Sequence, residues 1–360
     1  MKISNPDGID NQKKEIDYLN LHKALCVVDG HSDLMIDIHR RHLKGEKAVF
    51  LNKYAEELKK GGVNVIILST GGDSRLQNYN SDDPLWVALR RIHCVYRENE
   101  ESQEVISLCT CFKELQKALA ANKIAVFMMI EGAKPLRDDI AMVELYYRLG
   151  VRSITLTWNG RNLVGDGCGE WETNGRLTSF GKKVVREMNR LGMLVDVAHA
   201  SESTFYSVAE TSDSPFIVSH ANAKALCNHK RNLSDEQIKM VAEKKGIIGI
   251  CHYPDFLDLE KPSLNKLLDH IDYIVDIIGI DSIGLGPDFF DYVLDISPGI
   301  LKSQGGEGGG YKNFLLPDEI KDVTTLPNLT RGLLQRGYSK NHIEKILGGN
   351  LIRLYKEVVG

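Results

Sequence analysis

The chain has 360 residues, of which 42% are hydrophobic and 26% charged, a balance that excludes disordered and fibrous classes and supplies a large buried core. With a formal net charge of -4 and no long Lys/Arg run, it offers no surface for tracking a phosphate backbone, and no nucleic-acid partner is expected. Met1 to Asn20 lacks the apolar core of a secretory signal, and Glu344 to Gly360 carries Arg353, Lys356 and Glu357, unlike a lipid-anchor signal, so a cytoplasmic protein with no membrane attachment is expected.

In chain order, the apolar run Ala24 to Asp29 predicts a strand, and Leu51 to Lys60 a helix. The same alternation continues with a strand at Val63 to Ser69, a helical pattern with a break over Leu85 to Ala120, a strand at Ile124 to Ile130 and a helix at Ile140 to Leu149. Strands at Ser153 to Thr157, Leu194 to His199, Phe216 to Ser219, Ile247 to Cys251 and Ser282 to Gly286 follow. Helices are predicted between them at Ser179 to Leu191, Ser203 to Ala209, Asp235 to Lys244 and Leu264 to Ile278. Ser234-Asp235 reads as a helix N-cap before Gln237, and Gly61-Gly62 and Gly192 read as helix-to-strand turns.

Eight runs in strand–helix–strand order predict a (β/α)8 TIM-like barrel, since closure removes exposed edges; a doubly wound open sheet is the competing arrangement. One domain is expected over 1–360, with an N-terminal extension over 1–22 and a C-terminal loop and helices over 300–360. Within that tail, Gly305 to Gly310 reads as a surface loop and not a phosphate cradle, and helices are predicted near Pro327 to Arg336 and His342 to Val358. Cys26, Cys94, Cys109, Cys111, Cys168, Cys227 and Cys251 form an odd set with no CxxC pair, which suggests free thiols.

In such a barrel the reactive groups sit at the C-terminal ends of the strands. Those ends read His31-Ser32-Asp33, Glu131-Gly132, Asp196 to His199, Ser219-His220 and Pro287-Asp288. Alternation along an extended chain sends His31 and Asp33 to one side, so both can reach one metal ion. His199 and His220, from adjacent strands, can hold a second, with Glu131 bridging the two. Nitrogen and oxygen donors without thiolates suit zinc, and two ions about 3.5 to 4 Å apart share and acidify a water.

These residues belong to an ordered set of motifs: Val28 to Leu34, Ile130 to Gly132, Gly150 to Arg152 with Leu156-Thr157, Asp196 to His199, Val218 to Asn222, Arg231 to Leu233, Gly284 to Phe289 and Leu347 to Asn350. As a set it resembles the membrane (renal) dipeptidase family of the amidohydrolase superfamily. The resemblance implies two zinc ions, one on His31, Asp33 and Glu131 and one on Glu131, His199 and His220, with dipeptides as substrates. It also implies that Arg231 binds the substrate carboxylate and that Asp288 handles protons.

One departure concerns the turn after the fourth strand, where mammalian members carry a histidine near the metals and this chain reads Leu156-Thr157-Trp158-Asn159-Gly160. Trp158 is expected to form an apolar wall there, and Tyr253 is a candidate ligand contact. A homodimer is an expectation by analogy alone. The rival readings are an amidohydrolase of another small amide, such as an N-acyl amino acid, and a catalytically silent binding protein.

Overall fold

The computed structural model describes residues 18–74, 83–294 and 317–360. Eight parallel strands follow one another around a ring: β1 (Val27–Ser32), β2 (Val63–Gly72), β4 (Ile124–Glu131), β5 (Val151–Thr155), β6 (Leu194–Asp196), β7 (Ile217–Ala221), β8 (Ile247–Ile250) and β9 (Ile283–Leu285). A short further strand, β3 (Ile106–Leu108), pairs with β4 outside this path. The two ends of the path lie against each other. A Cβ on Gly30 of β1 would come 2.3 Å from the backbone oxygen of Leu285 in β9, so glycine is what lets the strands approach. The architecture is therefore the barrel and not the open sheet.

The strands are buried on both faces, and alternate residues divide between two apolar clusters. Along β4, Ala125, Phe127 and Met129 join Val65, Ile67, Leu194, Ile217 and Ile247 in one cluster. Val126, Met128 and Ile130 pack in the other, with apolar side chains of the surrounding helices. Each such fully buried large side chain contributes about 1.5–3 kcal/mol. Residue Glu131 continues the first alternation, so period-2 geometry delivers a carboxylate to the C-terminal end of the barrel interior.

Leu351, Leu354 and Tyr355 of the C-terminal helix Asn350–Val358 close the first cluster, with the Tyr355 ring 4.9 Å from Phe127. Asn350 fixes this helix by donating to the carbonyls of Ile280 and Ile283 at 2.7 and 2.8 Å.

Several boundaries differ from expectation. Residues 18–24 are helical, so the first strand begins at Val27 and not at Ala24. A helix at Met35–Leu43 follows β1 unannounced, because a buried Asp37, bonded to Arg40 and Arg41, interrupts its apolar stripe. The Leu85 to Ala120 pattern resolves into the helices Pro84–Glu101 and Phe112–Ala120 with β3 between them; three residues carry too little periodicity to be seen.

The fourth barrel strand runs two residues early, because Val151 already pairs with Met128. The fifth, β6, stops at Asp196, whose Oδ1 accepts from the N–H of Ala198 at 3.0 Å and turns the chain before His199. The tail helices are Leu326–Gln335, Lys340–Glu344 and Asn350–Val358, with a π-helical turn at Lys345–Gly349.

By contrast, Leu264–Ile278 has the expected ends, and Ser234 and Gln237 form a reciprocal capping box at Asp235–Glu243. The Gly305 to Gly310 loop and most of the 1–22 extension lie outside the described residues. Among the described residues, no helix is long and apolar enough to cross a membrane.

Candidate metal centre and active site

Strand ends bring the sequence-predicted groups to one place. Glu131 Oε1, at the tip of β4, lies 3.3 Å from His31 Nε2, 3.2 Å from His199 Nε2 and 3.6 Å from His220 Nε2. Asp33, one residue past β1, forms a second group with His31 and Asp288 in which the ligand atoms lie within 4.8 Å of one another. His31 Nε2 is 3.8 Å from Asp288 Oδ1. His31 thus stands between a Glu131–His199–His220 side and an Asp33–Asp288 side.

Backbone geometry aims two of these side chains. His199 and Asp288 sit just beyond their strands in left-handed conformation, at φ 64° and 55°, a strained region that non-glycine residues enter mainly where the surroundings hold them. His199 is held by the hydrogen bond from Cys168 N–H to its carbonyl at 2.7 Å.

Hydrogen bonds around the imidazoles fix their tautomers. Asp196 accepts the hydroxyls of Thr155 and Ser219 on Oδ2, both at 2.6 Å, and the N–H groups of Ala198 and Ser219 on Oδ1, both at 3.0 Å. The Ser219 proton is therefore given to Asp196, and its oxygen accepts from His220 Nδ1 at 2.8 Å. Behind His199, Asn159 Oδ1 accepts from Nδ1, also at 2.8 Å. Both rings consequently carry a lone pair on Nε2, and these two atoms face each other at 2.9 Å.

Lone pairs so placed repel unless a cation lies against them. His31 is fully buried; its Nε2 has the Glu131 carboxylate at 3.3 Å, and among the described residues its Nδ1 has no hydrogen-bond partner. Three imidazoles and three carboxylates, with no thiolate among them, fit hard or borderline divalent ions such as zinc.

Without an ion the titrations are pulled apart. For His31 burial opposes a charge, but Glu131, Asp288 and Asp33 outweigh it and push the pKa up to about 10. Burial and the Arg231 charge lower His199 to about 3, and burial with the His31 and Arg231 charges holds His220 well below its ordinary value. Glu131 is desolvated, yet His31 and His199 hold it below the usual carboxylate range. Desolvation raises Asp288 to about 8, with Asp33 and Glu131 adding and His31 and Arg231 opposing. Desolvation and Glu131 raise Asp33 to about 6.

Arg231 adjoins this cluster. It is 3% exposed, donates from Nη2 to the His220 carbonyl at 3.0 Å and stacks over Phe256 at 5.1 Å. Its Nε has no partner, and no carboxylate among the described residues pairs with it.

Trp158 is nearly buried, with its ring 5.6 Å from that of His199, so it walls the cluster. Tyr253 lies in an aromatic group, 4.9 Å from both Phe256 and Phe290, and Phe256 in turn lies beneath the Arg231 guanidinium. Sequence reasoning missed Asn159, Thr155 and the role of Asp196 and Ser219; the one available signal was that polar residues stand within strand ends that are otherwise apolar.

A model of the membrane dipeptidase family, peptidase family M19, matches residues 17–299 and 306–359. Dipeptidase 3 of Mus musculus is 28% identical over 358 residues, covering 94% of this chain, which spans 66% of that protein. A solved amidohydrolase from Pseudomonas aeruginosa is 26% identical, with a TM-score of 0.79 over 95% of this chain and 99% of that one. A solved dipeptidase AC, described as a metallo peptidase of family M19, is 25% identical with a TM-score of 0.79, covering 93% and 99% of the two chains.

Proposed function

The chain belongs to the membrane dipeptidase family, peptidase family M19, and within it we propose that this metallodipeptidase hydrolyses dipeptides recognised through their terminal carboxylate. The observation that carries the substrate reading is the buried guanidinium of Arg231, which lacks a carboxylate partner among the described residues and stands beside the metal cluster. A planar guanidinium takes a terminal carboxylate in a bidentate grip, which sets the scissile bond one residue from the C-terminus.

Following the family resemblance, two zinc ions would be held by His31, Asp33 and Glu131 on one side, and by Glu131, His199 and His220, whose Nε2 atoms lie 3.2 and 3.6 Å from Glu131 Oε1, on the other. When bound, they supply Lewis acidity, lowering the pKa of a water to about 7 and polarising a carbonyl oxygen.

The remaining work falls to side chains of this chain. Asp288 faces the cluster across 3.8 Å from His31 Nε2; once deprotonated beside the metal charge, this carboxylate can take a proton from a water at the cluster and return it to the leaving amine. Asn159, and Asp196 acting through Ser219, orient His199 and His220. Trp158 excludes water from one side.

A turnover panel of dipeptides, tripeptides and N-acyl amino acids on metal-stripped and zinc-restored protein tests this reading. Cleavage of dipeptides that depends on restored zinc and fails on tripeptides is expected. Selective cleavage of N-acyl amino acids would assign the machinery to another amide.

A further inference from the structure

Beside the metal cluster, His199 and Arg231 line a cavity of about 110 Å³ that also meets Trp171, Glu202, Lys224 and Lys230. Space of this size admits several water molecules, and hence a short polar side chain. Among the described residues its charged lining is three cations, Lys224, Lys230 and Arg231, against one carboxylate, Glu202, a surplus of two positive charges. Among the described residues none of the three cations carries an ion pair. Lys224 is exposed and Lys230 half-buried, while Arg231 is buried with its Nε unpartnered among the described residues, so one buried cation is flanked by two more accessible ones. Trp171, 66% exposed, stands at the solvent side.

The geometry points to an acid-selective subsite: the enzyme favours dipeptides whose C-terminal residue has an acidic side chain, read by Lys224 and Lys230 while Arg231 takes the terminal carboxylate. This rests on the dipeptidase reading above and names its substrate class. Two anionic groups on one residue match a wall in which a buried cation is flanked by two more accessible ones. A basic side chain in the same place meets like charge. Two partly exposed ion pairs together give a preference on the order of tenfold, and one that salt weakens.

The test compares kcat/KM for Ala-Asp and Ala-Glu with the isosteric Ala-Asn and Ala-Gln, each with an L or D C-terminal residue, on zinc-loaded enzyme at low and high salt. Wild-type enzyme should favour the acids by about tenfold at low salt, and Lys224→Gln/Lys230→Gln should bring the ratio to about one. Independently of turnover, free aspartate should bind metal-free wild-type protein more tightly than asparagine in calorimetry, and the double variant should lose that difference. Equal rates for acids and amides in the wild type, or a ratio unaltered in the double variant, overturn the subsite while leaving the dipeptidase reading intact. Turnover of none of these dipeptides, with N-acyl amino acids cleaved, overturns both.

Discussion

His199 and His220 meet through Nε2 atoms 2.9 Å apart, while the far nitrogen of each ring is engaged, by Asn159 Oδ1 behind His199 and by Ser219 Oγ behind His220. Each acceptor keeps a proton on Nδ1 and so keeps the lone pair on the side where Glu131 waits. The pair therefore turns two lone pairs toward one point, the arrangement the proposed metal site needs, and the hydrogen bonds behind the rings can be tested separately from the rings themselves.

Asn159→Ala and Ser219→Ala each leave the ligands in place but free one ring to rotate or change tautomer. Each should weaken zinc binding by about 10–100-fold, measured by chelator competition at pH 7. Wild-type affinity in both variants would mean that the hydrogen bonds play no part in metal retention.

Metal loading should expel protons. Glu131, Asp288 and Asp33 outweigh burial and hold the His31 pKa at about 10, and a ligating nitrogen must shed its proton. Asp288, raised to about 8 by burial, gives up its share when positive charge arrives nearby. At pH 7 the metal-free form holds these protons and the loaded form does not, so about one to two should be released per chain, and affinity should rise with pH through neutrality. Calorimetry in buffers of different ionisation enthalpy counts them; zero release contradicts the assignment.

Asp288→Asn keeps shape and removes the titrating group. It should lower kcat by about 10²–10⁴-fold with zinc content unchanged. Arg231→Ala should mainly raise KM, by roughly 10–100-fold, the scale of a lost charge-assisted hydrogen bond. Because Arg231 also donates to the His220 carbonyl, zinc content must be measured alongside; Arg231→Lys separates the charge from the fork.

How far the sequence could be read depended on whether the governing force is local. The helix Leu264–Ile278 was legible at both ends because Ser263 caps it by accepting from Lys266 N–H and Gly279, at φ 75°, ends it. His31, Asp33, Glu131, His199, His220 and Asp288 were legible as strand-end residues, since the barrel topology sends every such end to one rim. The turn that carries His199 away from β6 was not, for it depends on one bond from Ala198 N–H to the side chain of Asp196. Asn159 was hidden for a similar reason: its partner lies 40 residues away, and no pattern along the chain marks it. Helix Met35–Leu43 escaped because its stripe contains Asp37, whose burial is offset by Arg40, Arg41 and Lys53.

The seam of the barrel offers a prediction about the fold itself. Gly30→Ala places a Cβ 2.3 Å from the Leu285 carbonyl oxygen, which cannot retreat without parting β1 from β9. A loss of about 1–3 kcal/mol in urea unfolding is expected. Wild-type stability in this variant would show that the strands do not press together there.

The central claim is that His31, Asp33, Glu131, His199 and His220 together hold metal that the reaction requires. Zinc titration of the metal-stripped chain, with dipeptide turnover recorded at each addition, tests it most directly. Activity absent at the start and rising to a plateau at two equivalents of zinc is the result predicted. Full turnover without metal, or a folded chain that takes up no zinc, would contradict it.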